Sequence, residues 1–375
     1  MKSLVAAQNI DDLRLLAKKR LPKGMYEFIA RGSEDEVGLR HNRNVLDSIK
    51  IKPRVLTNVA GRSLTTTLLG NTQSMPLAVA PTGAAGFLWY HGEAALARAA
   101  STMGIPYCLA VSSLTPLETV RRDTKGKLWL QLYLSPNPEV NRAIIQRARQ
   151  LQFDALVVTV DTVVAPNREY NWRNGFNLPI RLNRRNALDL ATHPRWTLGV
   201  IGRYLLNQQM PRLDPISRDE TADWSCIQRV RDLWPGALVI KGIGSIEDAM
   251  AAMETGADAI VLSNHGARNL DSASSPMELL PHVACSVAGR LPIWVDSGFT
   301  RGSDVFKALA SGASAVLIGR AALYGLAAAG EAGATRCLAV LREELDRCMA
   351  YAGVRTIEDI GPQHLQHATS LTSPV

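Results

Sequence analysis

From Leu77 onward the chain alternates between two hydrophobic textures. Short continuous apolar runs, rich in β-branched residues, give way to Ala-rich stretches whose apolar positions recur every three or four residues. The runs LAVAP (77–81), YCLAV (107–111), LWLQLY (128–133), ALVVTVD (155–161), LVIKG (238–242), AIVLSNHG (259–266), PIWVDSG (292–298) and AVLIGR (315–320) predict eight strands. Continuous rather than alternating hydrophobicity fits strands covered on both faces. Between them EAALARAASTM, PEVNRAIIQRARQ, IEDAMAAMET and GSDVFKALAS predict helices. ETGADAIVLSNHG and ASGASAVLIGR repeat one pattern: a helix end, a glycine suited to the left-handed cap, small residues, then a buried strand. Eight strand–helix units with right-handed crossovers predict an α/β fold, the (β/α)8 TIM barrel, over 77–350. A doubly wound open sheet is the competing architecture. Its glycine fingerprint is missing, since GIGSIE (242–247) lacks the third glycine and follows the wrong strand.

Two regions fall outside the alternation. Residues 1–60 read as an N-terminal helical cap with charged faces. The roughly 60 residues between Asp161 and Trp224 are too many for an ordinary strand-to-helix loop. Residues 170–223 are therefore expected to form a variable lid or a membrane-interface segment. A single domain over 1–375 accounts for the rest.

Composition narrows the class. Of 375 residues, 46% are hydrophobic and 20% charged, so a sizeable core is expected and global disorder is not. No apolar run reaches the ~18–20 residues of a spanning helix. The first 20 residues mix charge throughout, unlike a signal peptide. The five cysteines are scattered and lack CxxC spacing, so a reduced cytoplasmic protein with neither disulfides nor a metal site is expected. The formal charge of +8 leaves nucleic acid, an anionic membrane surface and small anions as partners.

The unusual polar residues collect at the C-terminal ends of the predicted strands, which form the working face of a barrel. They are Pro81-Thr82-Gly83, Gln131 and Tyr133, Thr159 and Asp161, Lys241, Ser263 to Arg268, Asp296 to Gly298, and Gly319-Arg320, with Arg168 just beyond strand 4. A single buried Lys or His is usually structural, but seven strands with polar ends at one rim would be costly without a function. His265 suits a general base or acid, with Asp161 orienting its imidazole. Arg168 and Arg268 suit a carboxylate clamp, or, for Arg168, a solvated surface. Gly298, Gly319 and Arg320 suit a phosphate site, or simply tight turns. Lys241 in an apolar strand needs an anionic partner or a depressed pKa, whether as a Schiff-base amine or beside a cofactor that becomes anionic.

SNHGARNLD (263–271), VDSGFTRGSDVFKALASGA (295–313), IGR (318–320), IKG (240–242), QLY (131–133) and TVD (159–161) resemble the FMN-dependent 2-hydroxy acid oxidases and dehydrogenases. The resemblance runs from Leu21 to about Gly361. HPRW (193–196), VRDLWP (230–235), SPMELL (275–280) and LYGLAAAGEAG (323–333) are most similar to the branch that acts on (S)-mandelate. This resemblance implies FMN as cofactor and a small 2-hydroxy acid, aromatic and mandelate-like, as substrate. It implies quinone or oxygen as acceptor and a homotetramer. His265 then accepts the substrate proton, Asp161 stabilises the imidazolium, and Arg168, Arg268 and Tyr133 hold the substrate. Lys241 sits at the flavin pyrimidine edge. Gln131, Thr159 and Ser263 line the ring, with backbone contacts from Ala80, Pro81 and Thr82. Asp296 meets the ribityl chain, and Gly298, Arg301, Gly319 and Arg320 meet the phosphate. Three positions depart from the family pattern: Phe28 stands where a substrate-contacting Tyr is frequent, Ala110 where Ser is frequent, and Thr300 where Arg is frequent. An oxidase for an aliphatic acid such as lactate or glycolate, and a Schiff-base aldolase using Lys241, are the alternative readings.

The excursion also carries charge. Residues 181–213 hold six Arg and one Asp beside Trp196, Leu198, Val200, Ile201, Tyr204, Leu205 and Leu206. Arginines next to aromatic and aliphatic residues predict either a helix lying in a membrane interface or a solvated lid. Peripheral attachment to the inner face of the cell membrane is the matching location. Nucleic acid is not expected, because no second basic stripe with aromatics occurs.

Overall fold

The eight predicted runs each form a strand in the computed structural model, which describes residues 2–174, 184–207 and 218–366. They are β1 (Leu77–Val79), β2 (Tyr107–Ala110), β3 (Leu128–Tyr133), β4 (Ala155–Thr159), β5 (Ala237–Ile243), β6 (Ala259–Leu262), β7 (Ile293–Val295) and β8 (Ala315–Ile318). Each pairs in parallel with its sequence neighbours, and β8 closes on β1 with Leu317 opposite Ala78. This is the (β/α)8 barrel. Several strands end earlier than expected. His265, Gly266, Ser297 and Gly298 have φ of 56°, 64°, 81° and 91°, which no strand ladder accommodates. The polar tails are therefore turns seated on the strand ends.

The continuous hydrophobicity resolves into two layers. Leu156 and Val158 of β4, Leu238 and Ile240 of β5, and Ile260 and Leu262 of β6 join the cluster that includes the surrounding helices. Val157, Val239, Val261, Trp129 and Trp294 form a separate cluster inside the barrel. Trp129 and Trp294 stack there, centroids 4.9 Å apart and 10° from parallel. A short antiparallel pair, Thr66–Leu68 with Asn71–Gln73, brings Leu68 to this inner cluster. Moving up the strands at the same register, apolar residues become polar. Trp129 leads to Gln131 and Tyr133, Val157 to Thr159 and Asp161, Val239 to Lys241, Val261 to Ser263 and His265, and Trp294 to Asp296. Side chains alternate faces with period two, so all these polar groups share the interior or mouth of the barrel.

The helices follow their predicted spans: Gly92–Thr102, Pro138–Gln150, Ile246–Glu254 and Gly302–Ala310. Asn137 and Ser245 cap two of them by accepting from Glu139 N and Asp248 N. The repeated glycines, Gly256 and Gly312, take the left-handed conformation with φ of 75° and 109°. The N-terminal cap contains Ile10–Arg20, Lys23–Ala30 and Val37–Ser48. It is tied to the rim by Asp271, whose carboxylate accepts from Val37 N and Gly38 N at 3.0 Å each. The buried Asn42 and Asn264 side chains exchange bonds of 3.0 and 2.8 Å.

The excursion is helical over Arg184–Thr192 and again from Pro194 to Leu206, with a break at His193 and a π-helical turn at Thr197–Gly202. Residues 181–183 and 208–213 of the basic stretch lie outside the described residues. The apolar set expected to face a membrane splits in two. Trp196, Val200 and Tyr204 are buried. They face the loop after β1, where Trp196 Nε1 donates to Phe87 O at 2.8 Å and Tyr204 Oη to Gly86 O at 3.3 Å. Leu198, Leu205 and Leu206 point outward and are 71%, 60% and 84% exposed. Among the described residues no helix is long and apolar enough to cross a membrane.

Candidate active site

Every chemical group at the mouth is placed by a strand end or the turn that follows it. His265 Nδ1 lies 2.8 Å from Asp161 Oδ1, bridging the turns after β6 and β4. His265 and Ala267 both have left-handed φ, 56° and 55°, a conformation that costs free energy for a residue with a Cβ. The turn is held by Ser263 Oγ, which accepts from His265 N at 2.9 Å, and by Ser297 Oγ, which accepts from Gly266 N at 3.0 Å. Asp161 is nearly enclosed. Burial pushes its carboxyl up, but the attraction and hydrogen bond of His265, with Lys241 and Thr162, pull it below the usual range overall.

Lys241 points up the barrel axis at 3% exposure. Its Nζ makes a 3.0 Å ion pair with Asp296 Oδ2 and donates to Ser263 Oγ at 3.0 Å. Burial pushes the ammonium down. Asp296 and Asp161 more than reverse this, so its pKa is raised and it stays charged. The anionic partner that the sequence demanded is thus Asp296. A permanently charged amine is also a poor Schiff-base nucleophile.

Arg168, Arg268 and Arg320 converge beside the end of the Lys23–Ala30 helix. Arg168 Nε donates to Arg268 O at 3.2 Å. Arg268 donates to Phe28 O and Arg31 O at 2.7 and 3.1 Å, and Arg320 to Ile29 O and Arg31 O at 3.0 and 3.2 Å. Arg268 also rests over the Phe28 ring, 5.3 Å from its centroid. Burial and the neighbouring Arg268 push Arg168 down to about 9 and Arg320 down to about 10. Carbonyl oxygens orient these cations without neutralising them, which defines a site for an anion.

Two arginines of the expected phosphate end have protein partners in this structure. Arg301 is half-exposed and pairs with Glu344 at 3.1 Å, because it precedes the Gly302–Ala310 helix and leans toward the last helix of the chain. Arg320, next to Gly319, donates to main-chain carbonyls of the N-terminal cap. Gly298 keeps its strained φ of 91°. Arg43 was not anticipated: it donates to Gly298 O at 3.2 Å and Thr300 Oγ1 at 3.1 Å and pairs with Asp304 at 2.6 Å. Thr162 and Asn269 were also missed. Asn269 Nδ2 donates to Asp161 O and Thr162 Oγ1, both at 2.8 Å, and Thr162 Oγ1 donates to Asp161 Oδ1 at 3.2 Å. Thr162 follows the TVD motif and Asn269 lies within SNHGARNLD, but the bonds of Asn269 to Asp161 and Thr162 cross more than 100 residues of chain.

A flavin fits the remaining groups. Thr82 Oγ1, Gln131 Nε2 and Thr159 Oγ1 are buried without hydrogen-bond partners among the described residues, as expected of atoms that bond a polar ring edge. Two small residues, Ala80 just past β1 and Ala110 at the end of β2, stand at the same strand ends, and Pro81 follows Ala80. A cavity of about 270 Å³ opens past Tyr133, Thr159 and Thr162 toward Trp224 and Ile227. A larger hollow of about 840 Å³, by Thr67, Gly70, Arg231 and Asp258, lies at the other end of the barrel, away from these groups. Chemistry, not volume, marks the site.

An imidazole–carboxylate pair, an arginine cluster and a buried lysine around unpaired ring-facing groups define a barrel oxidoreductase for an anionic substrate. The model of the FMN-dependent dehydrogenase family matches residues 17–367. The chain is 42% identical to (S)-mandelate dehydrogenase of Pseudomonas putida, over 98% of this chain and 96% of that one. It is 36% identical to glycolate oxidase 3 of Oryza sativa subsp. indica, over 95% of each. The crystal structure of the monotopic membrane protein (S)-mandelate dehydrogenase superposes with a TM-score of 0.91 at 40% identity, covering 96% of this chain and 99% of that one. The chain belongs to the FMN-dependent dehydrogenase family, and FMN is its cofactor.

Proposed function

We propose that this enzyme oxidises an (S)-2-hydroxy acid, aromatic and mandelate-like, to the 2-oxo acid. The observation that carries the reading is the His265–Asp161 pair, 2.8 Å apart, beside the Arg168–Arg268 cluster. The arginines bind the carboxylate and so fix where the adjacent carbon and its hydroxyl lie. Tyr133, at the end of β3, adds a hydroxyl to the same side. His265 takes one proton from the substrate, and Asp161 favours the imidazolium so formed. FMN supplies the acceptor for the two electrons. Lys241, fixed by Asp296, offers a positive charge beneath the ring-facing groups Gln131 and Thr159. Ala80, Pro81, Thr82 and Ser263 complete the ring contacts, and Gly298 and Gly319 allow backbone approach at the phosphate end. The identity to (S)-mandelate dehydrogenase supports the aromatic preference.

Anaerobic mixing with a panel of 2-hydroxy acids tests this. (S)-Mandelate is expected to bleach the flavin absorbance faster than L-lactate or glycolate. Faster bleaching by lactate would overturn the aromatic preference, and bleaching by none of them would overturn the reaction.

We further propose that the excursion rests on a membrane surface and that a quinone accepts the electrons. Outward Leu198, Leu205 and Leu206 alternate with exposed Arg195 and Arg203, a combination suited to an anionic lipid interface. Burial of a leucine is worth about 1.5–3 kcal/mol, so exchanging all three for Ser should weaken vesicle binding more than a hundredfold. Activity with a soluble dye should persist. Unchanged co-sedimentation with phosphatidylglycerol vesicles would refute the membrane contact.

A further inference from the structure

Among the buried hydroxyls that lack a partner in the described residues, that of Tyr170 is two residues from Arg168. Tyr170 lies in the short helix Glu169–Asn174 and is only 5% exposed. Its Oη is buried and has no hydrogen-bond partner among the described residues. A native protein rarely leaves such an atom unpaired without a reason. The ring lies under the Arg31 guanidinium, 5.4 Å from the centroid. Arg31 is satisfied by Glu36 at 2.8 Å. The other cations around Tyr170 are not. Arg168 and Arg320 both feel the Tyr170 oxygen electrostatically, and neither forms an ion pair among the described residues. Each is held only by main-chain carbonyls. Phe28 offers Arg268 a ring face and a carbonyl, but no hydroxyl. The arrangement is therefore three like charges and one idle donor, which an anion with two oxygens would complete.

We propose that Tyr170 is a further substrate-binding residue, whose hydroxyl donates a hydrogen bond to the carboxylate held by Arg168 and Arg268. The inference rests on the reading of the substrate as a 2-hydroxy acid. It makes the carboxylate, rather than the hydroxyl-bearing carbon, the part of the substrate that this residue recognises.

Tyr170→Phe keeps the ring that packs under Arg31 and removes only the oxygen. A hydrogen bond to a charged group supports an expected loss of about tenfold in affinity. In the FMN-loaded protein, the Kd for phenylacetate, read from the perturbation of the flavin spectrum, should rise about tenfold. KM for the hydroxy acid should rise to a similar extent, with the limiting rate of anaerobic bleaching within about twofold of wild type. The Kd for the neutral analogue phenylacetamide should not change. Equal phenylacetate affinity in the two proteins would overturn the proposal. So would equal weakening of the acid and the amide, which marks a packing role, or loss of FMN, which places the hydroxyl at the cofactor. If no 2-hydroxy acid bleaches the wild-type flavin, it is the broader reading that fails, whatever Tyr170→Phe does.

Discussion

His265→Asn should bind FMN normally and lose flavin reduction by substrate, the rate falling by about 10²–10⁴-fold, the usual contribution of a positioned base. Asn is the suitable replacement because position 265 has φ of 56°, a conformation Asn tolerates better than most residues with a Cβ. The neighbouring turn, held by Ser263 and Ser297, then keeps its shape. Stopped-flow mixing under anaerobic conditions measures the effect directly, and the retained flavin spectrum shows that the site is intact. Reduction at a near-wild-type rate would mean that another group takes the proton. Asp161 should hold its charge across the working range. Its native pKa is depressed, so its stabilising contribution is complete above the ordinary Asp value and is lost only as pH falls through the lower native one.

Lys241→Met should be the most destabilising single change at the mouth. It leaves the Asp296 carboxylate, 7% exposed, without its counter-charge. Breaking a buried pair from one side costs about 3–5 kcal/mol. A fall in melting temperature of several degrees and poor FMN retention are expected. The double variant Lys241→Met, Asp296→Asn removes the stranded charge. It should recover much of the stability and little of the substrate-driven bleaching, because the positive charge beneath the ring is still missing. Full recovery of bleaching in the double variant would show that Lys241 acts only as a structural partner. The pH dependence has the opposite sign to that of Asp161. Lys241 has a raised native pKa, so its contribution is complete below the ordinary lysine value and disappears as pH climbs through the native one.

Much of this was legible in the chain because barrels place function at predictable addresses. β4 to β8 each announce themselves by an apolar run that turns polar at its C-terminal end, and the polar residues of those tails do meet. Local geometry was also readable, as Gly256 and Gly312 show. Partnerships across long sequence distances were not. Nothing near Lys241 in sequence points to Asp296, 55 residues on, and nothing near Asp161 points to Asn269. The protein partners of long side chains were likewise hidden: Arg301 pairs with Glu344, and Arg320 donates to carbonyls of the N-terminal cap. Which apolar residues of the excursion face which way was hidden too: the helix turns Trp196, Val200 and Tyr204 inward and Leu198, Leu205 and Leu206 outward, a division that composition does not carry.

The layering inside the barrel has an evolutionary consequence. The stacked Trp129 and Trp294, with Val157, Val239 and Val261 around them, form a floor that is complete without any of the residues above it. On the proposed function, a change at Tyr133, Phe28 or Tyr170 would alter what the mouth recognises, and none of these residues belongs to that floor. Rim and floor can thus be inherited separately, and a new substrate can be tried on this scaffold without first endangering the fold.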